Sequence, residues 1–266
     1  MPFAEVNNTK LYYEIHGEGE KVLFFSHGLL WSTKLFHKQI SHFKNDYRCV
    51  LYDHRGQGKS EVSASGYDMD NLTADAVALI KKLELPPVHF IGLSMGGFVG
   101  MRMAARHAEL LRSLTLMETS AEEEVFKGKY RLLTTIVKWF GVKVVTNKVM
   151  PIMFGEKFLK DPKRKAEKKE WALEMQKNKK SIVKAVKGVI DRQAVLGELE
   201  KITMPTLIIV GDQDKATPPP KAKKIHQNIK NSNLYIINGA GHSSSIEAPE
   251  QVNKLLSDFL ESGAEN

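Results

Sequence analysis

Short apolar runs recur along the chain, and most of them are separated by stretches whose apolar residues repeat every three or four positions. The runs predict eight strands, and the intervening periodicity predicts helices. The predicted strands span residues 3–6, 11–16, 22–26, 48–52, 88–92, 113–117, 206–210 and 234–237. The predicted helices span roughly 34–43, 71–84, 95–107, 219–230 and 248–262.

The order of these elements indicates an α/β fold. The first two strands meet at Asn7-Asn8, which favours a tight hairpin. After them strands and helices alternate, a pattern typical of a mostly parallel sheet with helices on both faces. Continuous apolar runs such as "VLFF" and "TLIIV" are expected in strands that are covered on both sides.

Residues 121–202 interrupt this alternation, between the sixth and seventh strands. They contain no convincing strand and indicate several amphipathic helices, including 130–140 and 171–175, with breaks at Gly141, Pro151 and Pro162. A helical insertion at this point is expected to cover the carboxyl edge of a parallel sheet, where ligands bind. We therefore predict a core domain of residues 1–120 and 203–266 and a helical cap of residues 121–202.

The cap accounts for the whole net positive charge of the chain. Its 20 basic and 11 acidic residues give a net charge of +9, whereas the 266-residue chain has a net charge of +8. Only Arg131, Arg164 and Arg192 among its basic residues are arginines, and no aromatic residues alternate with them. We expect solvated helix faces and no nucleic-acid partner, with steering of anionic substrates or surfaces as the alternative.

Composition restricts location and cofactors. No apolar run approaches the ~20 residues of a membrane span or the core of a signal peptide, so we expect no membrane span and a cytoplasmic location. Cys49 is the only cysteine, which excludes an internal disulfide, and its apolar surroundings predict a buried position. No cluster has metal-ligand spacing, and we expect neither a metal nor an organic cofactor.

Ser94 is the candidate nucleophile. It lies in "GLSMGG", directly after a buried-type strand and before an amphipathic helix, which is the context of a nucleophile elbow. Glycines on both sides allow a sharp turn and a close approach of strand and helix. The amino end of the helix also favours negative charge that develops at the serine.

A serine hydroxyl needs a base and an orienting acid. His242 lies in a glycine-rich loop after the last strand, and we predict it as the base. Asp214, in the loop after strand 206–210, is predicted as the acid. Asp212 in the same loop and Glu118 at the end of strand 113–117 remain alternatives.

Backbone donors for an oxyanion are expected in "SHGLLW". The N–H of Leu29 follows the third strand and is expected to pair with the N–H of Met95. His27 is interpreted as a residue that braces this loop through hydrogen bonds.

An apolar acyl pocket is expected beside these donors. We predict that Trp31 and Phe98 line it together with Trp139 and Phe154 of the cap. Packing in the core is the alternative role for each of them.

Five sequence blocks resemble the successive signatures of the α/β-hydrolase fold superfamily. They are "SHGLL", "YDHRGQGKS", "GLSMGG", "GDQDKATP" and "GAGHSSSIEAPE", and they extend from about residue 20 to the end of the chain, apart from the cap. The resemblance implies an α/β-hydrolase fold with Ser94 as nucleophile, Asp214 as acid and His242 as base. It also implies that Leu29 and Met95 supply the oxyanion hole.

The finer resemblance concerns substrate class. "GLSMGGFVGMRMAARH" with "IEAPE" is similar to 3-oxoadipate enol-lactonases and their carboxylesterase neighbours. We expect a serine esterase that acts on small, largely apolar carboxylic esters. Alternatives are a lactonase, a carbon–carbon bond hydrolase, a perhydrolase or haloperoxidase-like enzyme, or a ligand-binding or anionic-surface-binding protein on the same fold. The serine excludes the dehalogenases and epoxide hydrolases, which resemble this framework but carry aspartate at the elbow.

Overall fold

One eight-stranded sheet organises the computed structural model, which describes residues 2–125 and 127–263. The strand order is β1-β2-β4-β3-β5-β6-β7-β8. β2 pairs antiparallel with β1 and β4, and all other pairs are parallel. The predicted mostly parallel sheet is confirmed. The strands are β1 (Phe3–Val6), β2 (Thr9–His16), β3 (Val22–Ser26), β4 (Arg48–Tyr52), β5 (Val88–Leu93), β6 (Leu111–Met117), β7 (Thr206–Gly211) and β8 (Ser232–Ile237).

The β1–β2 hairpin forms at the predicted dipeptide. Asn7 and Asn8 have φ angles of 44° and 58°, and Val6 pairs with Thr9 across the turn. Positive φ at both central residues is the requirement of a two-residue type I′ turn, which asparagine tolerates better than most residues.

Helices cover both faces of the sheet. They are α1 (His37–Phe43), α2 (Met69–Lys82), α3 (Met95–Arg106), α4 (Lys127–Phe140), α5 (Thr146–Met153), α6 (Glu156–Lys160), α7 (Lys165–Gln176), α8 (Val183–Ile190), α9 (Pro219–Asn228), α10 (Ser244–Glu247) and α11 (Pro249–Gly263). Short 3-10 helices lie at Thr33–Phe36, Ala108–Leu110, Val142–Val145, Pro162–Arg164, Lys180–Ile182 and Leu196–Lys201. Within the described ranges, no helix combines the length and apolar character that crossing a membrane requires.

The two faces of the sheet hold separate apolar clusters. In β3, Phe24 belongs to the cluster that includes residues of α2, α3 and α9, whereas the next residue, Phe25, belongs to the cluster that includes residues of α1 and α11. This alternation follows from the two-residue repeat of a strand. Because both faces are covered, the central strands are apolar throughout.

Five helices, α4 to α8, lie between β6 and β7, where the helical insertion was predicted. Gly141 (φ 81°) follows the end of α4, and Pro162 begins a 3-10 helix, so both mark predicted breaks. Pro151 lies inside the last turn of α5 instead. The proline interrupts little there, because the helix ends two residues later and few of its hydrogen bonds remain to be lost.

Polar contacts attach the inserted helices to the rest of the chain. Lys34 Nζ lies 2.6 Å from a carboxylate oxygen of Glu170 in α7. The Arg164 guanidinium donates to the carbonyl oxygens of Glu247 and Ile246, at 2.6 and 2.8 Å. The insertion is therefore held against the loop that follows β8.

A buried ion pair fixes the loop after β4. Nε and Nη2 of Arg55 donate to the two carboxylate oxygens of Asp75 in α2, at 2.7 and 2.6 Å. Side-chain exposure is 5% for Arg55 and 1% for Asp75. The same loop reaches the end of β3, since the amide of Leu30 donates to Gln57 Oε1 at 2.9 Å. The ion pair thereby supports the loop expected to hold an oxyanion.

Asp75→Ala is expected to lower the free energy of unfolding by about 3–5 kcal/mol, because it leaves the Arg55 guanidinium buried without its counterion. Urea denaturation measures the loss. The control is Asp258→Ala, which breaks the exposed pair with Lys254 and is expected to cost about 0–1 kcal/mol. Equal losses in the two variants would contradict this account of the buried pair.

Candidate active site

Ser94 lies at the turn between β5 and α3 with strained backbone angles, φ 53° and ψ −110°. Its amide donates to the carbonyl of Met117 at 2.8 Å. Its own carbonyl accepts from the Phe98 amide at 3.0 Å and from Thr119 Oγ1 at 2.9 Å. A serine with positive φ persists only where its surroundings hold it firmly, and these three bonds provide that support.

Two glycines explain why the turn is so tight. A Cβ atom on Gly92 would overlap the carbonyl oxygen of Gly96, and a Cβ atom on Gly96 would overlap the carbonyl oxygen of Ser26. The backbones of β3, β5 and α3 therefore touch directly. Only glycine fits these two positions.

A continuous chain of hydrogen bonds joins Ser94 to an acid. Ser94 Oγ lies 2.9 Å from His242 Nε2, and His242 Nδ1 lies 2.8 Å from Asp214 Oδ2. The residues follow β5, β8 and β7, so all three lie at the carboxyl edge of the sheet. Their exposures of 9%, 3% and 3% show that the chain is largely shielded from solvent.

The surroundings of Asp214 favour its charged form. Oδ1 accepts from the amides of Ala216 and Thr217 at 2.8 and 2.9 Å, and Oδ2 accepts from Thr217 Oγ1 at 2.8 Å. Burial alone would raise the pKa of Asp214, but interaction with His242 and the bonds from Thr217 outweigh burial and lower it. An ionised Asp214 holds the proton of His242 at Nδ1 and leaves the Nε2 lone pair toward Ser94.

The two alternative acids occupy other places. Asp212 Oδ1 accepts from the amide of Gly239 at 2.7 Å and so braces the loop that carries His242. Glu118 is fully buried, and neither of its carboxyl oxygens has a hydrogen-bond partner in the described part of the chain. Asp214 alone of the three contacts the imidazole.

Glu118 is a buried neutral acid. Burial raises its pKa well above the usual range, interaction with Ser244 opposes that shift in part, and repulsion by Asp214 and Glu247 adds to it. Its proximity to Asp214 would otherwise place two negative charges near one histidine. Protonation avoids that repulsion.

Two backbone amides are available beside Ser94. Met95 is the first residue of α3, a position whose N–H has no partner within the helix. Leu29 follows β3 and lines the same cavity as Ser94 and His242. Its amide donates to no acceptor in residues 2–125 and 127–263. These are the two N–H groups expected from the sequence.

His27 braces the loop that carries Leu29. His27 Nδ1 lies 2.7 Å from the carbonyl of Gly28, and His27 Nε2 accepts from the amide of His54 at 3.0 Å. Complete burial lowers the pKa of His27 to about 4, so the ring is neutral at physiological pH. A neutral ring is also required for accepting the His54 N–H.

A largely apolar cavity of about 160 Å³ opens onto Ser94 and His242. One wall is α4, which contributes Tyr130, Leu133, Thr134 and Val137, at the spacing of one helix face. Most of the remaining wall also comes from the inserted helices and the turns between them, with Val142, Val145, Val149, Ile152, Val186 and Ile190.

Of the four predicted pocket residues, Phe98 lines this cavity and the other three do not. Trp139 is 67% exposed, because it lies on the side of α4 opposite Val137. Trp31 and Phe154 are buried against each other, with ring centroids 5.9 Å apart. Trp31 lines a separate cavity of about 640 Å³.

Several cavity residues lie outside the sequence predictions. Glu124 and Arg192 come from the two ends of the insertion and form an ion pair on the cavity wall. Such a long-range contact has no local signal. Thr217 does have one, since a hydroxyl residue three positions after Asp214 is placed to bond its carboxylate.

The family model described as the alpha/beta hydrolase fold matches residues 21–249. Among curated proteins, the chain is 27% identical over 253 residues to 3-oxoadipate enol-lactonase 2 of Acinetobacter baylyi, with 94% of this chain and 92% of that protein covered.

Two solved structures are similar over nearly the whole chain. The enol-lactonase from Burkholderia xenovorans LB400 superposes with a TM-score of 0.92 at 26% identity, covering 98% of this chain and all of the other. A thermophilic esterase from Thermogutta terrifontis superposes with a TM-score of 0.89 at 23% identity, covering 98% and 96%. At that identity the second likeness concerns the fold alone.

Glu118→Gln is expected to become progressively more stable than the wild type as pH rises from 5 to 8. Because the folded-state pKa of Glu118 is raised, the folded wild type keeps a proton that the unfolded chain releases above about pH 4.3. Wild-type stability is therefore lost with rising pH, by up to about 1.4 kcal/mol per pH unit, and glutamine removes that loss. Urea denaturation across the pH range measures it.

The matched control for this prediction is Glu200→Gln, the same change at an exposed position. Its stability is expected to follow the wild-type pH curve in parallel. A Glu118→Gln curve that is also parallel would mean that the buried carboxyl is ionised in the folded protein.

Proposed function

The chain belongs to the alpha/beta hydrolase fold family and is a hydrolase of that fold, and on this premise we propose that it cleaves carboxylic esters of small, largely apolar acids through an acyl-enzyme on Ser94. The observation that carries the proposal is the hydrogen-bonded chain Asp214–His242–Ser94 at the floor of a largely apolar cavity.

The first half-reaction forms the acyl-enzyme. His242 Nε2 accepts the proton of Ser94 Oγ as the oxygen attacks the ester carbonyl carbon. The tetrahedral intermediate places its negative oxygen toward the N–H groups of Leu29 and Met95. His242 then donates its proton to the departing alkoxide oxygen, and the carbon–oxygen bond to the alcohol breaks.

The second half-reaction releases the acid. His242 accepts a proton from a water molecule whose oxygen attacks the acyl-enzyme carbonyl, and the proton then returns to Ser94 Oγ as the acyl–oxygen bond breaks. Asp214 stabilises the imidazolium in both halves. Because its charge is already compensated by Thr217 and two amides, no rearrangement is needed when the imidazole becomes positive.

Transition-state stabilisation is assigned to the backbone amides. Removing one such donor typically costs about 3 kcal/mol, or roughly a hundredfold in kcat. The Met95 amide also lies at the amino end of α3, where the helix dipole favours a negative oxygen. His27 serves this arrangement indirectly by holding the loop of Leu29.

The cavity supports the small, apolar substrate class. At about 160 Å³ it is smaller than the ~300 Å³ at which drug-sized sites begin, and aliphatic side chains form most of its wall. We assign residues 121–202 the role of a cap, since their helices supply most of that wall and their removal would open Ser94 to water.

A lactonase is the second candidate. A lactone is an ester closed into a ring, so the same attack by Ser94 would open it. The similarity to two proteins named enol-lactonases favours this candidate. Rates on an aryl ester and an enol-lactone, measured side by side, discriminate between the two.

Ser94→Ala is expected to abolish hydrolysis of p-nitrophenyl esters. The expected loss in kcat is about 10⁴-fold or more, as for other serine nucleophiles. The wild type is tested from acetate to palmitate and is expected to prefer short chains because of the cavity volume. Ser41→Ala, on the exposed face of α1, is the control and is expected to keep full activity. A folded wild type that hydrolyses no ester would refute the esterase proposal.

Asp214→Asn is expected to lower kcat by about 10⁴-fold, because an asparagine carbonyl or amide cannot stabilise the imidazolium and favours the wrong tautomer. Glu118→Gln, the matched change at the alternative acid, is expected to keep the wild-type kcat. Steady-state kinetics on one short ester measure both. The opposite ranking would transfer the role of the acid to Glu118.

A further inference from the structure

The cavity that holds Ser94 contains one ion pair on its wall. Arg192 and Glu124 both line it, and Arg192 Nη1 lies 3.3 Å from Glu124 Oε2. Their exposures are only 4% and 9%. A buried ion pair is costly to desolvate and adds little stability by itself. Its place in a largely apolar wall is therefore better explained by a role in binding than by stability.

Part of the Arg192 guanidinium is committed to the protein. Nε donates to the carbonyl of Glu122 at 3.0 Å, and Nη1 donates to the carbonyl of Val189 at 2.8 Å as well as to Glu124. Nη2 donates to no acceptor among the residues that the structure describes. The two N–H groups of Nη2 thus lack a protein acceptor in the described part of the chain and are available to a ligand, although the side chain as a whole is almost wholly buried.

Phe98 fixes the guanidinium relative to the nucleophile. The central carbon of the guanidinium lies 4.4 Å from the centre of the Phe98 ring. Phe98 is one helical turn after Ser94 in α3, and its amide donates to the Ser94 carbonyl. The rise of a helix separates the Cα atoms of Ser94 and Phe98 by roughly 6 Å along the axis of α3. This distance corresponds to a few bonds of an acyl chain.

Tyr130 supplies a second donor on the same cavity. Its side chain is half-buried on the face of α4 that lines the cavity, and in residues 2–125 and 127–263 its hydroxyl finds no hydrogen-bond partner. Burial and the charge of Glu124 raise its pKa, so the hydroxyl keeps its proton. The cavity thus presents two kinds of unused donor.

We infer that Arg192 Nη2 and the Tyr130 hydroxyl form a polar subsite for an uncharged oxygen acceptor, such as a ketone carbonyl, on the acyl chain of the substrate. The inference rests on the proposed ester hydrolysis and specifies its substrate class. The structure favours a neutral acceptor over a carboxylate because Glu124 already balances the charge of Arg192 and would repel a second anion.

The subsite is a specificity determinant. When a substrate carbonyl occupies it, the unpaired donors are satisfied. An apolar group of the same shape leaves them buried without partners. Sites of this kind reject the apolar analogue far more strongly than aliphatic walls reject a change of size.

Three isosteric p-nitrophenyl esters test the inference: the 5-oxohexanoate, the 5-methylhexanoate and the hydrogen glutarate. They place a ketone, a methyl branch and a carboxylate at the same carbon. The wild type is expected to show a kcat/KM at least about tenfold higher for the ketone than for the methyl ester. The hydrogen glutarate is expected to be the poorest of the three, after its spontaneous hydrolysis is subtracted.

Three variants assign the effect to residues. Arg192→Met is expected to abolish the preference in kcat/KM for the ketone over the methyl ester. Tyr130→Phe is expected to reduce this preference severalfold and leaves the hydrogen bonds of Arg192 intact. Glu124→Gln is expected to raise kcat/KM for the hydrogen glutarate relative to the ketone by about tenfold, because the charge of Arg192 is then unbalanced. Lys187→Met removes an exposed cation of α8 as a control and is expected to keep the wild-type ratio.

The outcomes separate the two proposals. Equal wild-type kcat/KM for the ketone and the methyl ester would overturn the polar subsite and leave the esterase intact. A wild-type preference for the hydrogen glutarate would overturn the assignment of a neutral acceptor. Hydrolysis of none of the three by the folded protein would overturn the proposed function itself. Arg192 also donates to the carbonyls of Glu122 and Val189, so Arg192→Met could fail to fold. In that case Tyr130→Phe and Glu124→Gln provide the test of the subsite.

Discussion

Direct backbone contact between β3, β5 and α3 is the constraint on which the site depends. Because Gly92 and Gly96 have no side chains, β5 and α3 lie so close together that the residue at the turn between them must adopt a positive φ. That residue is Ser94, which has its carbonyl and amide bound by neighbouring elements and its hydroxyl free to face His242. The same contact places the Met95 amide at the start of α3, close to the loop after β3. The strain at Ser94 therefore positions both the hydroxyl and the donors that an oxyanion would need.

Buried charge is distributed so that a single carboxylate beside the imidazole stays ionised. Asp214 accepts hydrogen bonds at both oxygens, and its pKa is lowered despite burial. Glu118, a short distance away, lacks such bonds, and its pKa is raised. The histidines of the supporting loops, His27 and His54, have lowered pKa values because they are fully buried. Interaction with His242 and the hydrogen bonds from Thr217 thus keep the charge on Asp214 despite its burial.

The sheet was predictable because its strands are short, apolar and separated by turn residues. β3 and β4 have the predicted bounds, whereas β6 begins at Leu111, two residues earlier than predicted. The approach of Ser94, His242 and Asp214 to one another was also predictable, since all three follow parallel strands and their loops meet at one edge. The residues of the cavity wall, in contrast, were not predictable from the sequence. Which side of α4 faces Ser94 depends on packing between the inserted helices. The face shared by Tyr130, Leu133 and Val137 lines the cavity, whereas the predicted Trp139 lies on the opposite side.

Chemistry and selectivity are encoded in different parts of the chain. The core brings Ser94, His242 and Asp214 together from three loops. The enol-lactonase structure superposes with a TM-score of 0.92 at only 26% identity, so the fold accommodates wide variation in sequence. Most of the cavity wall comes from α4, α5, α8 and their connections. Ester and lactone hydrolysis make the same demands on Ser94 and His242, so the core cannot distinguish them. The distinction must arise where substrate groups beyond the carbonyl contact the protein. In this chain the polar groups available there belong to the inserted helices and to the Arg192 guanidinium, which lies over the ring of Phe98.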